Sequence, residues 1–367
     1  MQSIHGGNIW QRAQETGISL RKILDFSANI NPLGPPDSLP GIIGGQLENL
    51  VHYPDPDCRV LTKAIAGRFD ISPLQVVCGN GSSELLYAIP RALKADRVAL
   101  PAPCYADYAR SAQAAKIATD YVLPADTSSL EISCKHLESE LRGNEIVFIG
   151  QPNNPTGLLF DNADFINLAA ACPGTFFVVD EAFADFIENY RSVIHHNLPN
   201  VLVLRSMTKF FAIPGLRLGA LLGPADIIAQ TNKTMPCWSV NHLAQAAGAA
   251  FLADEKYAAR TRQFVKKCRL ELYRELNAFP EFFVYPGTAN YLLVRMDCNQ
   301  PDAPALQKKL LRKGIVIRVC DNFIGLDKRF FRVAVRKPEE NERLCAAIAE
   351  VFGRKSRTRP RGRCSCQ

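Results

Sequence analysis

Three apolar runs, Ile146-Val147-Phe148-Ile149, Phe176-Phe177-Val178-Val179 and Val201-Leu202-Val203-Leu204, are each followed by a polar group of a different kind. Unbroken apolar runs of this length, rich in β-branched and aromatic residues, read as strands buried on both faces, as in parallel sheets covered by helices. Ligands of open α/β sheets collect at the carboxyl ends of the strands. The first run leads to Asn153-Asn154-Pro155-Thr156-Gly157, the second to Asp180-Glu181-Ala182-Phe183, and the third to Ser206 and Lys209. One rim is therefore expected to receive an amide, a carboxylate and an amine.

Lys209 sits among small, apolar and hydroxyl residues, in Ser206-Met207-Thr208-Lys209-Phe210-Phe211-Ala212-Ile213-Pro214-Gly215-Leu216-Arg217-Leu218-Gly219. An apolar, partly cationic setting lowers a lysine's proton affinity, which an imine-forming nucleophile needs at neutral pH. Taken singly, the groups have ordinary explanations: Lys209 a loop lysine, Asp180 a helix N-cap, Asn154 a turn residue before proline. Their joint order on consecutive strands matches what pyridoxal phosphate requires. A carboxylate (Asp180) keeps the ring nitrogen protonated, an amide (Asn154) hydrogen-bonds the ring phenolate, and the lysine holds the aldehyde as an imine. Phe183 is assigned to the same cofactor site. A phosphate site should accompany these groups, and Cys78-Gly79-Asn80-Gly81-Ser82-Ser83-Glu84 lies between a strand-like Val76-Val77 and a helical pattern beginning at Leu85. Glycines bring backbone close, and a helix start offers N–H groups to an anion. Gly81, Ser82, Ser206 and Arg217 together form the expected phosphate cup. Tyr105, just past Val98-Ala99-Leu100, is placed to stack on the pyridine ring, although a core tyrosine would look the same.

These motifs resemble those of the fold-type I pyridoxal-phosphate enzymes, in the branch containing histidinol-phosphate aminotransferase. They are most similar to the threonine-phosphate decarboxylases of cobalamin biosynthesis. The specific residues are His5-Gly6-Gly7-Asn8 and Asp25-Phe26-Ser27-Ala28-Asn29-Ile30-Asn31-Pro32-Leu33-Gly34. The resemblance continues through Tyr53-Pro54-Asp55, Tyr285-Pro286-Gly287, Asn290-Tyr291-Leu292-Leu293, Ile317-Arg318 and Phe331-Arg332-Val333-Ala334-Val335-Arg336. It implies that Arg332 binds the substrate α-carboxylate, that Arg318 binds its phosphate, and that His5, Gly6, Asn29 and Asn154 line the substrate pocket. Tyr53 would reach a second subunit's cofactor phosphate in a homodimer. Guanidinium forks suit both anions. The implied reaction is decarboxylation of O-phospho-L-threonine to (R)-1-amino-2-propanol O-phosphate, with Lys209, Asp180 and Tyr105 as the catalytic group. Two alternatives stay open: a histidinol-phosphate-type aminotransferase, or a decarboxylase preferring O-phospho-L-serine. Which α-carbon bond stands perpendicular to the ring decides between reactions, and residue types do not report it. A cofactor-sensing regulator would need a DNA-binding domain for which no residues remain.

Composition is compatible with this reading. A chain of 367 residues exceeds the usual size of one core. The expected fold is α/β, of the fold-type I transferase kind. It has a large domain with a mainly parallel sheet covered by helices and a small α+β C-terminal domain. Boundaries are placed at 1–44 for an N-terminal arm, 45–277 for the cofactor domain, 278–353 for the small domain and 354–367 for a basic tail expected to be disordered. A long helical stretch over about 242–277 should bridge the domains, Ile315-Val316-Ile317 should form one strand, and a helix should close the small domain over 341–352. The tail carries six basic residues, so without it the formal charge of +7 falls to +1 (7 − 6) and implies no nucleic-acid partner. Twelve scattered cysteines without a CxxC pair suggest reduced thiols and a cytoplasmic location, with no metal site. No apolar run reaches signal-sequence or membrane-spanning length, so no membrane partner is expected.

Overall fold

The computed structural model describes residues 6–126, 128–297 and 301–354. Its strands are β1 (Leu24–Asp25), β2 (Val76–Asn80), β3 (Arg97–Pro101), β4 (Ala118–Val122), β5 (Glu145–Gly150), β6 (Phe176–Asp180) and β7 (Val201–Ser206). They continue with β8 (Leu218–Leu222), β9 (Phe282–Val284), β10 (Tyr291–Met296), β11 (Ile315–Val316), β12 (Arg318–Val319) and β13 (Phe330–Ala334). Seven form one sheet in the order β2-β8-β7-β6-β5-β3-β4. The three apolar runs are its adjacent parallel strands β5, β6 and β7, almost wholly buried. Only β8 runs antiparallel to its neighbours, turned back by Pro214–Leu216 and by Arg217 in the left-handed region at φ 58°.

Alternate residues of these strands point to opposite faces, and each face carries its own core. Phe148, Val178 and Leu202 pack with Leu85, Leu86 and Ile89 of the helix Ser82–Ala92. On the other face Val147, Phe177 and Val203 join Leu61 and Ile65 of Arg59–Phe69 and Phe165 and Leu168 of Asn162–Ala171. A four-stranded antiparallel sheet, β12-β13-β10-β9, builds a second body with Leu272 and Leu276 from the helix Glu255–Asn277 and Leu344 and Ile348 from Pro338–Val351.

The N-terminal arm joins the two bodies. β1 pairs in parallel with β11, the Phe26 carbonyl accepts from Ala334 N at 2.8 Å, and the Phe26 ring is fully buried in the second core. A few residues on, Asn31 N donates to the Lys209 carbonyl at 3.0 Å, and its side-chain amide donates to the Phe210 carbonyl and the Thr261 hydroxyl.

Three expectations need correction. The stretch 242–277 is two helices, His242–Phe251 and Glu255–Asn277, because the Asp254 side chain accepts from Tyr257 N and starts a new helix. Ile315-Val316-Ile317 is not one strand. Ile317 N donates to the buried Gln307 Oε1 at 2.7 Å in place of a ladder partner, so β11 joins the arm while β12 joins the four-stranded sheet. The closing helix begins earlier than expected, at Pro338, the first helical position that proline favours. His5 and all of the basic tail except Arg354 lie outside the described residues. Among the described residues no helix is long and apolar enough to cross a membrane, and no cysteine is in a disulfide.

Candidate active site

A cavity of about 320 Å³ opens at the carboxyl ends of the parallel strands. Ser82, Tyr105, Asn154, Asp180, Phe183 and Lys209 line it from the large sheet and its loops. Gly6 and Asn29 come from the arm, and Arg318 and Arg332 from the smaller sheet. Sequence positions scattered from the first residues to the last strand are thus gathered around one space.

Lys209 lies in the short helix Met207–Phe210 directly after β7, and its ammonium donates to Ser206 Oγ at 3.1 Å and lies 5.7 Å from the Phe183 ring centroid. Burial pushes its pKa down, the Asp180 charge opposes that shift, and Arg217 adds to it. Asp180 ends β6 and is partly buried. Burial raises its pKa, against Lys209, a hydrogen bond from Tyr108 Oη at 2.8 Å and one from Ala182 N at 3.0 Å. The partly buried carboxylate and amine therefore each favour the other's charged form against the desolvation that opposes it.

Close backbone approach brings together the residues expected to form a phosphate cup. The helix Ser82–Ala92 begins at Gly81, which has φ 77° and supplies no side-chain cap, so the N–H groups of the first turn remain for an anion. A Cβ on Gly81 would stand 2.5 Å from the Arg217 guanidinium, and one on Gly219 would collide with Ser82 N. Ser206, Arg217 and the Gly81-Ser82 turn are thus packed together as expected.

Arg318 and Arg332 stand directly opposite each other on β12 and β13. Like charges at paired positions cost free energy, and burial lowers the pKa of both guanidinium groups. Arg332 is 6% exposed. It donates to Asn154 Oδ1 and, at 2.9 Å, to the Ser27 carbonyl, while its Nε is buried without a partner. Among the described residues it forms no salt bridge. Asn29 Oδ1 is likewise buried and unpartnered. An anion bound in this cavity would satisfy the Arg332 Nε donor, whereas Asn29 Oδ1, an acceptor, calls for a donor such as an amine or hydroxyl. With its oxygen engaged by Arg332, Asn154 keeps its amide nitrogen as a donor.

Tyr53 does not join this cavity. Its ring is 76% exposed and stacks on Trp238, with centroids 4.5 Å apart. Two contributors escaped the sequence reading. Tyr108, one helical turn beyond Tyr105, holds Asp180 and stacks on Phe148 at 5.2 Å; the spacing from Tyr105 was the signal available. Asp107, buried between them, accepts from Tyr105 Oη at 2.9 Å and fixes that ring.

The donor set fits pyridoxal phosphate: an anion-ready helix start with Arg217, a partly buried carboxylate, an amide donor and a lysine of lowered proton affinity.

The Aminotransferase class I and II family matches residues 21–348. A threonine-phosphate decarboxylase of Salmonella typhimurium is 37% identical over 95% of this chain and 97% of its own length. An adenosylcobalamin biosynthesis bifunctional protein, CobDQ, of Leptospira interrogans is 34% identical over 95% of this chain, which spans 41% of that longer protein. Among solved structures, the histidinol-phosphate aminotransferase of Clostridium acetobutylicum superposes with a TM-score of 0.84 at 31% identity, covering 90% of this chain and 99% of that one.

Proposed function

The chain belongs to the class I and II aminotransferase family of pyridoxal-phosphate enzymes, and from that premise we propose that it decarboxylates O-phospho-L-threonine to (R)-1-amino-2-propanol O-phosphate for the cobalamin nucleotide loop. The observation that carries this reading is the facing pair Arg318 and Arg332 at one cavity. Two guanidinium forks suit a substrate bearing both a phosphate and a carboxylate. Histidinol phosphate has only the first of these anions. Identity of 37% to a threonine-phosphate decarboxylase supports the same choice.

Bound pyridoxal phosphate supplies the electron sink for the bond that breaks at the α-carbon. The chain's own residues do the rest. Gly81, Ser82, Ser206 and Arg217 would hold the phosphate of the cofactor, Asp180 would keep its ring nitrogen protonated, and Asn154 would donate to its phenolate. Tyr105 and Phe183 would supply aromatic contacts to the ring. Lys209 would anchor the cofactor's aldehyde carbon, and its amine, when free, would be the group able to give a proton to the α-carbon. Arg332 grips the carboxylate and Arg318 the phosphate. Anchoring both ends of the substrate fixes rotation about its central bonds, and with it which bond is broken. Gly6 and Asn29 complete the pocket, and His5, which lies outside the described residues, is assigned to it by the resemblance.

The same reading includes a cytoplasmic homodimer in which Tyr53 reaches a second subunit. Supporting it, Tyr53 and Trp238 lie exposed, as do Leu47, Leu50, Val51 and Val60 nearby in sequence. The proposed organisation is an arm over 1–44, a cofactor domain over 45–277 and a small domain over 278–353.

The test incubates holoenzyme with O-phospho-L-threonine, O-phospho-L-serine and histidinol phosphate. Carbon dioxide and the amino alcohol phosphate should form from phosphothreonine without an added keto acid. Faster transamination of histidinol phosphate in the presence of a keto acid would replace the decarboxylase by an aminotransferase. Faster decarboxylation of phosphoserine would change the substrate alone.

A further inference from the structure

Arg318 is aimed by the loop that follows it. After β12 the chain doubles back through two tight turns, with Phe323 N donating to the Cys320 carbonyl at 3.1 Å and Leu326 N to the Phe323 carbonyl at 3.0 Å. Within this loop Asn322 Oδ1 accepts from Arg318 Nη2 at 2.7 Å, and the Val319 carbonyl accepts from Nη1. The guanidinium carbon lies 5.1 Å from the centroid of the Phe323 ring. One edge of the fork is thus held by a neutral amide and one face by an aromatic ring, contacts that orient a cation without neutralising it. Phe323 is itself 7% exposed and lines the same cavity as both arginines. It packs with Cys320, Phe330 and Leu130. Leu130 comes from the segment between β4 and the helix Cys134–Glu140, so the loop is anchored to the large body as well as to its own strand.

We propose that residues 320–326 form a phosphate-orienting loop, in which Asn322 and Phe323 are positioning residues that aim Arg318 at the phosphate of a phosphorylated amino acid. The inference rests on Arg318 being the phosphate ligand. A free arginine side chain loses much rotational freedom when it grips an anion. Here that freedom is already spent in the folded chain. A neutral amide at position 322 matters for a second reason: an aspartate there would also hold the guanidinium but would compete with the incoming dianion.

The experiment measures KM and kcat for O-phospho-L-threonine, and competitive inhibition by inorganic phosphate, on holoenzyme variants. Asn322 is exposed, so Asn322→Ala should fold normally and raise both KM and the phosphate inhibition constant by about tenfold, with kcat falling by less. Asn322→Asp should raise both at least as far. Phe323→Leu, of similar volume, should raise both by about threefold, and Phe323→Tyr should restore them. If Arg318→Ala raises both constants while Asn322→Ala and Phe323→Leu leave them within twofold of the parent, the orienting loop is refuted and the proposed function stands. If Arg318→Ala also leaves both unchanged, the phosphate assignment fails and takes this inference with it.

Discussion

Lys209 is acted on by two opposing influences, burial that removes its proton and the Asp180 carboxylate that retains it. Incorporation of pyridoxal phosphate requires the neutral amine. The incorporation rate of cofactor-free protein should therefore reach half its maximum below the ordinary lysine value of 10.5. Asp180→Asn deletes the opposing influence, so its profile should move to still lower pH while most activity is lost. An unmoved profile would remove Asp180 from this role. Borohydride reduction of the loaded protein and peptide mapping should find the pyridoxyl group on Lys209; finding it on another lysine would reject the site. Tyr108→Phe removes one charge-assisted hydrogen bond to Asp180, an interaction of roughly 1.5–3 kcal/mol, and should cost at least about tenfold in kcat with little change in KM. Lys209, Asp180 and Asn154 stood out in the sequence because each ends or closely follows a recognisable strand. Tyr108 was not, since a buried tyrosine on an amphipathic helix looks like ordinary core until the carboxylate beside it is seen.

At the level of elements, the cofactor cup depends on how closely β8 approaches the start of the helix Ser82–Ala92. Gly219→Ala would drive a methyl group into Ser82 N. Cofactor affinity should fall at least tenfold by equilibrium titration, whereas Gly215→Ala, with open space around it, should leave affinity unchanged. The roles proposed for the two arginines paired on β12 and β13 can be separated by the choice of substrate. Arg318→Ala should impair turnover of phosphothreonine far more than that of threonine, by about ten to a hundredfold. Arg332→Ala should impair both, because both carry the carboxylate. Equal loss on the two compounds from Arg318→Ala would deny it the phosphate. The strands themselves could be read from apolar runs, and the parallel order of β5, β6 and β7 followed from them. The breaks at Asp254 and Ile317 could not, because each is set by one backbone N–H donating to a side-chain oxygen, the first of a capping aspartate and the second of a glutamine on another helix. Periodicity records which residues are buried, not which side chain replaces a backbone partner.

For the whole molecule, the proposed sharing of sites between subunits can be tested by complementation. Lys209→Ala and Tyr53→Ala proteins, each nearly inactive alone, should regain part of the parent activity when mixed, as hybrid dimers form one intact site. Proven subunit exchange without recovery would argue that Tyr53 serves its own subunit only. The arm is equally a feature of the whole molecule. Phe26→Ala empties a fully buried aromatic site and should cost about 3–5 kcal/mol of stability in chemical denaturation. The partners of Arg332 at Asn154 and Ser27 lie 178 and 305 residues away along the chain. By contrast, every group assigned to the cofactor lies between positions 53 and 217. Chains emerge from the ribosome amino end first. A polypeptide a little over half made therefore already carries every residue assigned to the coenzyme, but the proposed anchor of the substrate carboxylate is missing until the penultimate helix and last strand have been translated.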